Sequence, residues 1–146
     1  MFPLLNTTDI THIIQLAVAP VFLLTAVGTI IGVLANRLTR IVDRIRILET
    51  RLLQPGAEEQ PLIQTELKTL GRRLRLIYLA ITCQVFCALF VALLIIFAFL
   101  DAFLANGLTK FIGGLFVLAM LAFISALIVF LREIFLAVTI TRRMMH

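Results

Sequence analysis

The stretch from Ile13 to Ala35 reads IIQLAVAPVFLLTAVGTIIGVLA and contains no charged residue. As an α-helix, its 23 residues would be about 35 Å long. A helix of that length spans a hydrocarbon core of about 30 Å with some tilt. The stretch therefore predicts a transmembrane helix, and Pro20 predicts a kink inside it.

Two further apolar stretches, Leu76 to Leu100 and Phe111 to Leu131, are also long enough to span a bilayer. Of the 146 residues, 62% are hydrophobic, whereas soluble domains are about half apolar. The mean hydropathy is +1.11. Lipid must therefore surround most of this chain. We expect an all-α fold with three transmembrane helices in a single membrane domain, residues 1–146.

The basic residues are distributed unevenly around these three stretches. Of the 13 Lys and Arg residues, nine lie between Asn36 and Arg75, three lie near the C-terminus and one is Lys110. Because basic loops stay on the cytoplasmic side, we expect the N-terminus outside and both basic segments, 36–75 and 132–146, inside. In a bacterium this membrane would be the inner (plasma) membrane.

Segment 36–75 carries two sets of apolar residues at alternating spacings of three and four, which is typical of coiled-coil helices. The sets are Leu38, Ile41, Ile45, Leu48 and Leu52, and Ile63, Leu67, Leu70, Leu74 and Ile77. Gln54-Pro55-Gly56 lies between them and predicts a break. We expect a cytoplasmic antiparallel helical hairpin about 25 Å tall, whose arms continue the first and second spans.

Polar and small residues form a stripe on the first span, because residues seven apart share one face of a helix. The stripe consists of Thr8, Gln15, Phe22, Thr29 and Asn36, with Thr11, Thr25 and Gly32 beside them. In one interpretation it lines a pore for ions at the axis of a homo-oligomer, with Phe22 as a hydrophobic constriction. In the other it is a helix–helix seam joined by hydrogen bonds. Gly28-x-x-x-Gly32 predicts close helix packing, with a partner in the same chain or in another.

Six arginines flank the expected inner boundary of the membrane: Arg37, Arg40, Arg44, Arg72, Arg73 and Arg75. Like charges at the same height repel, so we do not expect them to pair across the hairpin. Anionic lipid headgroups are the expected partners, at about 1 kcal/mol for each basic residue. Arg132 and Glu133 are expected at the membrane surface if the third span ends at Leu131. A deeper position would make them an intramembrane charge pair and would indicate function.

Catalytic signals are missing from the sequence. No set of His, Cys and acidic residues has metal-ligand spacing, and no glycine-rich phosphate loop occurs. Ser125 is the only serine and has no base near it in the sequence. We therefore expect no enzymatic activity, no cofactor and no metal. Because the basic charge belongs to a membrane surface, nucleic acid is not an expected partner.

Three stretches carry a resemblance to a known family: IQLAVAPVFLLT (14–25), NRLTRIVDR (36–44) and RRLRLI (72–77). They resemble an uncharacterised bacterial family of small three-span membrane proteins, a domain of unknown function. The resemblance implies a location in the bacterial inner membrane. It supplies no activity and no functional residues.

Two hypotheses for the function follow. The first is a non-enzymatic homo-oligomer built around the first span, in its sharper form an ion-conducting pore lined by that helix. The second is a membrane scaffold or accessory subunit that binds a larger membrane complex through the hairpin. A stable monomer would contradict the pore, because three helices of one chain cannot enclose a channel.

Overall fold

The computed structural model describes residues 7–54, 56, 58–104 and 107–144 and consists of three α-helices. They are α1 (Thr7–Leu52), α2 (Gln60–Leu104) and α3 (Thr109–Met144). All three are long and apolar enough to cross a membrane. The expected all-α fold, with three helices long and apolar enough to span a membrane, is therefore confirmed. The side of the membrane on which each end lies stays a prediction.

Each helix is longer than the apolar stretch that predicted it. The 46 residues of α1 measure about 69 Å along the axis, roughly twice the thickness of a hydrocarbon core. The helix continues through Pro20 and on through the basic residues as far as Leu52. Helix α2 likewise begins at Gln60, well before the second span. The two arms of the segment 36–75 are thus continuous with the first and second spans.

Short connections join the helices. The connection between α1 and α2 begins with a turn in which the Gln54 N–H donates to the Arg51 carbonyl at 3.2 Å. Pro55, part of the predicted break, lies outside the described residues, as does Asn106 in the other connection. Gly107 has a φ of 67°, which a residue without a Cβ adopts without strain. The Leu108 N–H then donates to the Asp101 carboxylate at 2.9 Å, so the last turn of α2 caps the entry to α3.

The chain divides into two compact units, and the first comprises Met1–Ile30 and Gln84–Ile124. Its core is apolar and consists of Val27, Cys87, Val91, Leu94, Leu115 and Ala119. The rings of Phe97 on α2 and Phe111 on α3 meet edge to face, with centroids 5.1 Å apart. The Gln84 side chain is fully buried, and its amide has no hydrogen-bond partner among the described residues. A buried amide without a hydrogen bond lowers the stability of a protein, so Gln84 destabilises this core.

The second unit comprises Ile31–Cys83 and Ser125–His146. It holds twelve of the 13 Lys and Arg residues of the chain. Its buried residues are Leu34, Ile41, Leu48, Ile63, Leu70, Ile77, Ala80, Ala126 and Glu133. All but the last are apolar. The charged unit therefore has an ordinary hydrophobic core with one carboxylate inside it.

Buried positions recur every seven residues along each helix. They are Val27, Leu34, Ile41 and Leu48 on α1; Ile63, Leu70, Ile77, Gln84 and Val91 on α2; and Ala119, Ala126 and Glu133 on α3. A seven-residue interval keeps one side of a helix turned toward its neighbours over many turns. The apolar positions expected to face inward in segment 36–75 are all buried or half-buried, as predicted. Coiled-coil packing itself stays a prediction.

Candidate functional site

A single carboxylate joins all three helices in the second unit. Glu133 of α3 is fully buried. Arg37 of α1 donates from Nη1 to Glu133 Oε2. Arg73 of α2 donates to Oε1 from both Nε, at 3.1 Å, and Nη2, at 2.9 Å. Each carboxylate oxygen therefore has its own guanidinium partner, and each partner comes from a different helix.

The two arginines make burial of this charge tolerable. Removing a carboxylate from water costs several kcal/mol, and only well-placed opposite charges offset that cost. The side chains of Arg37 and Arg73 are 35% and 23% exposed, so both arginines are only partly buried. Two positive charges face one negative charge, so the cluster as a whole remains positive.

Helix α3 presents a second partner to Arg37. The guanidinium carbon of Arg37 lies 5.2 Å from the centroid of the Phe130 ring, a distance at which a cation is attracted by the ring face. Phe130 and Glu133 are three residues apart and therefore lie on the same side of α3. One turn of α3 therefore contacts Arg37 in two ways, through the ion pair with Glu133 and the cation–π contact with Phe130.

A second ion pair lies one seven-residue step away. Arg44 of α1 donates from Nε to Glu66 Oε1 of α2 at 2.9 Å, and its Nη2 lies 2.9 Å from the same oxygen. Arg44 follows Arg37 by seven residues, and Glu66 precedes Arg73 by seven. The pair therefore repeats the seven-residue spacing of the cluster on both helices. The Arg44 side chain is 47% exposed, so the pair contributes at most about 1 kcal/mol.

The expectation concerned pairing of the six arginines across the hairpin, and no ion pair among the described residues joins two of them. Arg37 and Arg73 are instead ion-paired with Glu133 of the third helix, which the repulsion argument left out. Arg44 is ion-paired with Glu66 of α2. Headgroup contact by the six arginines stays a prediction, and for Arg37 and Arg73 it competes with Glu133. Arg132 is exposed, so it and Glu133 have opposite environments and do not act as a pair.

The polar stripe of α1 lies outside the core. Gln15, Phe22, Thr25, Thr29 and Asn36 are all exposed. The buried positions Val27 and Leu34 each lie two residues from a stripe position and hence on nearly the opposite side of the helix. Asn36, the stripe residue of the second unit, is not among the hydrogen-bond partners of Glu133 in the described part of the chain.

The stripe residues differ in how their polar groups are satisfied. The Thr25 hydroxyl donates to the Val21 carbonyl at 3.2 Å, and the Thr29 hydroxyl donates to the Thr25 carbonyl at 2.9 Å. The amides of Gln15 and Asn36 have no hydrogen-bond partner within the described part of the chain. Only these two amides therefore still need a partner.

Gly28 and Gly32 have no close neighbour on another helix in the described part of the chain. A Cβ added to either glycine would meet no atom of the other described helices within 4 Å. The described helices of one chain therefore do not pack closely at Gly28-x-x-x-Gly32. If this motif packs a helix closely, that helix belongs to another molecule.

Fold and charge together define a small all-α protein whose three helices are long and apolar enough to cross a membrane. The chain belongs to the family described as "Protein of unknown function (DUF2721)", whose model matches residues 17–143. The expected membership in a family of unknown function is thus confirmed. The match includes Arg37, Arg73, Glu133 and the stripe from Phe22 onward. No curated protein and no solved structure matches the chain.

Proposed function

We propose that this protein works as a non-enzymatic homo-oligomer in the membrane, assembled around the stripe of α1, and that the stripe lines an ion-conducting pore. One observation carries the proposal: Gln15, Phe22, Thr25 and Thr29 are exposed on the side of α1 opposite its buried positions, within the apolar stretch that predicts the first span, and Asn36 continues this side directly after the stretch. A polar stripe at that depth in the membrane needs a partner other than lipid.

The physical argument rests on Gln15, the amide of the stripe that lies inside the apolar stretch. Hydrocarbon offers no hydrogen-bond partner, so polar side chains in membrane helices face protein or a water-filled cavity. Gln15 has no such partner among the described residues, and neither has Asn36, which directly follows the stretch. The same face recurs on every copy of the protein, so a second copy supplies amides for hydrogen bonds and a matching surface. Gly28 and Gly32, open on this face, allow two backbones to approach closely.

The pore is supported by the order of side chains along the stripe. Thr25 and Thr29 keep their hydroxyl oxygens on the exposed face, where they can accept from water. Phe22, 71% exposed, lies between Gln15 and Thr29. When several copies are arranged around an axis, the Phe22 rings form a hydrophobic constriction, which gates by excluding water.

The mass of the full-length protein in mild detergent tests the assembly. We expect a defined multiple of the mass of one chain. A monomer over the whole concentration range would contradict the proposal.

Ion flux into vesicles tests the pore. Phe22→Ala should raise flux about tenfold, since that corresponds to lowering a barrier by about 1.4 kcal/mol. The matched control is Phe116→Ala, which removes a ring that is 41% exposed on α3 and should leave flux unchanged. An oligomer without flux in either form would contradict the pore and would favour the scaffold that binds a larger complex through segment 36–75.

A further inference from the structure

A cavity of about 290 Å³ lies in the second unit, and four arginines line it. Arg37, Arg40 and Arg44 come from α1 and Arg73 comes from α2; Ile41 and Leu70 supply apolar surface. The described residues that line the cavity include no carboxylate. Such a concentration of guanidinium groups around one small space is costly unless an anion offsets their repulsion.

Carboxylates hold three of these arginines in place. Glu133 binds Arg37 and Arg73, and Glu66 binds Arg44. Two carboxylates thus face four guanidinium groups, which leaves an excess of positive charge at the cavity. Arg40 is exposed and has no partner among the described residues. The cavity therefore has a fixed basic wall and one arginine whose five N–H donors remain available.

We propose that this cavity binds the phosphate group of a ligand and that Arg40 is its principal contact. Guanidinium groups bind phosphate through parallel N–H···O bonds, and several can share one tetrahedral anion. A carboxylate presents its two oxygens in one plane, whereas the oxygens of a phosphate group point to the corners of a tetrahedron and can be reached by guanidinium groups from several sides. Phosphate is therefore the better match to four arginines.

An adjoining groove indicates what else the ligand carries. The groove has a volume of about 770 Å³ and shares Arg44, Leu70 and Arg73 with the cavity. It extends along α2 to Pro61, which is about 18 Å from Arg73 by the helix rise, and Ile140 of α3 also lines it. Its surface is mostly apolar. The ligand class is therefore a phosphate ester with an apolar part.

Such an ester can come from two sources. A membrane lipid would bring its headgroup phosphate to the cavity from the side of the spans. A soluble phosphate ester would place its apolar part in the groove, which leads away from the spans. The phosphate chemistry is common to both, and the source is a matter for the experiment. The site requires one chain only, so it stands even if the protein proves to be a monomer.

The test uses full-length protein, freed of bound lipid, in a maltoside detergent that contains no phosphate. Inorganic phosphate is titrated by calorimetry against chloride at equal ionic strength. In parallel, native mass spectrometry counts retained phosphatidylglycerol against a galactosyl diacylglycerol that has no phosphate. The variant is Arg40→Gln. The matched control is Arg46→Gln, which removes an exposed arginine of α1 that does not line the cavity.

We expect Arg40→Gln to weaken binding of at least one phosphate probe about tenfold, or about 1.4 kcal/mol, and Arg46→Gln to leave it unchanged. Binding of inorganic phosphate by the parent protein would identify a soluble source, and retention of phosphatidylglycerol alone would identify a headgroup. If neither probe binds, or if both variants weaken binding equally, the site is overturned. Equal losses would mean that the arginines act only through their summed surface charge.

Discussion

Glu133 is the residue whose surroundings differ most from those expected of its type. An ionised carboxylate is almost never fully buried unless it is paired. Here the pairing is complete, because Arg37 and Arg73 each take one oxygen. The three charges come from three helices, so their geometry is satisfied only when the helices have the correct rotation and height. A contact of this kind selects one packing arrangement over others that would bury similar apolar area.

Glu133→Gln should therefore destabilise the protein severely. The substitution removes the negative charge and leaves Arg37 and Arg73 facing each other, for which we expect a loss of about 3 kcal/mol in the free energy of unfolding. Chemical denaturation in detergent micelles, followed by circular dichroism, measures it. Arg132→Gln is the control, since it removes an exposed charge at the adjacent position and should change stability by less than about 0.5 kcal/mol.

The double variant Glu133→Arg with Arg73→Glu restores one acid between two bases with the positions exchanged. It should recover part of the stability that Glu133→Arg alone loses. Equal stability of Glu133→Gln and Arg132→Gln would show that the cluster does not hold the helices together.

Helix α1 has a buried side and an exposed side, and each carries its own set of residues. One side carries Val27, Leu34 and Ile41 into the core, and the other displays the polar stripe with Gly28 and Gly32. Both sides repeat every seven residues, so each stays on its own side along the whole helix. Helix α1 can therefore pack within its own chain through the buried side and leave the exposed side available to a second molecule.

Gly28→Leu changes the exposed side of α1 and leaves the residues of its buried side unchanged. A Cβ added at position 28 meets no atom of another described helix within 4 Å, and leucine favours helix over glycine by about 0.8 kcal/mol. We expect the monomer fold to be retained and the oligomer to dissociate, because the bulk blocks close approach of two α1 helices. Light scattering in detergent measures the mass.

The control for Gly28→Leu is Gly113→Leu on α3, an exposed glycine that is equally open and lies off the stripe. It should leave the mass unchanged. An intact oligomer in Gly28→Leu would mean that α1 does not form the interface.

At the scale of the whole molecule, charge is segregated between the two units. The second unit holds all the Lys and Arg residues except Lys110, and the charged residues of the first unit are Asp9, Asp101 and Lys110 alone. Each long helix contributes to both units, so a change of environment occurs along every helix. This segregation supports the prediction that the connection between α1 and α2 lies in the cytoplasm.

Cysteine labelling in intact cells tests that orientation. In a background with Cys83→Ala and Cys87→Ala, a membrane-impermeant maleimide should label Lys110→Cys at once and Glu58→Cys only after permeabilisation. Both positions are exposed, so access across the membrane is the only difference between them. Labelling of Glu58→Cys in intact cells would reverse the orientation.

The sequence by itself determined the three helices, their continuity beyond the bilayer and the inward-facing apolar positions. These follow from helix length and from seven-residue spacing, which are properties of one helix at a time. Only the tertiary structure decided that Glu133 lies between Arg37 and Arg73, that the stripe is exposed and that Gly28 and Gly32 have no close neighbour on the other described helices. Periodicity fixes which residues share a face of a helix. Which face meets which neighbour depends on how three helices rotate to bury their apolar sides together, and no single helix contains that information.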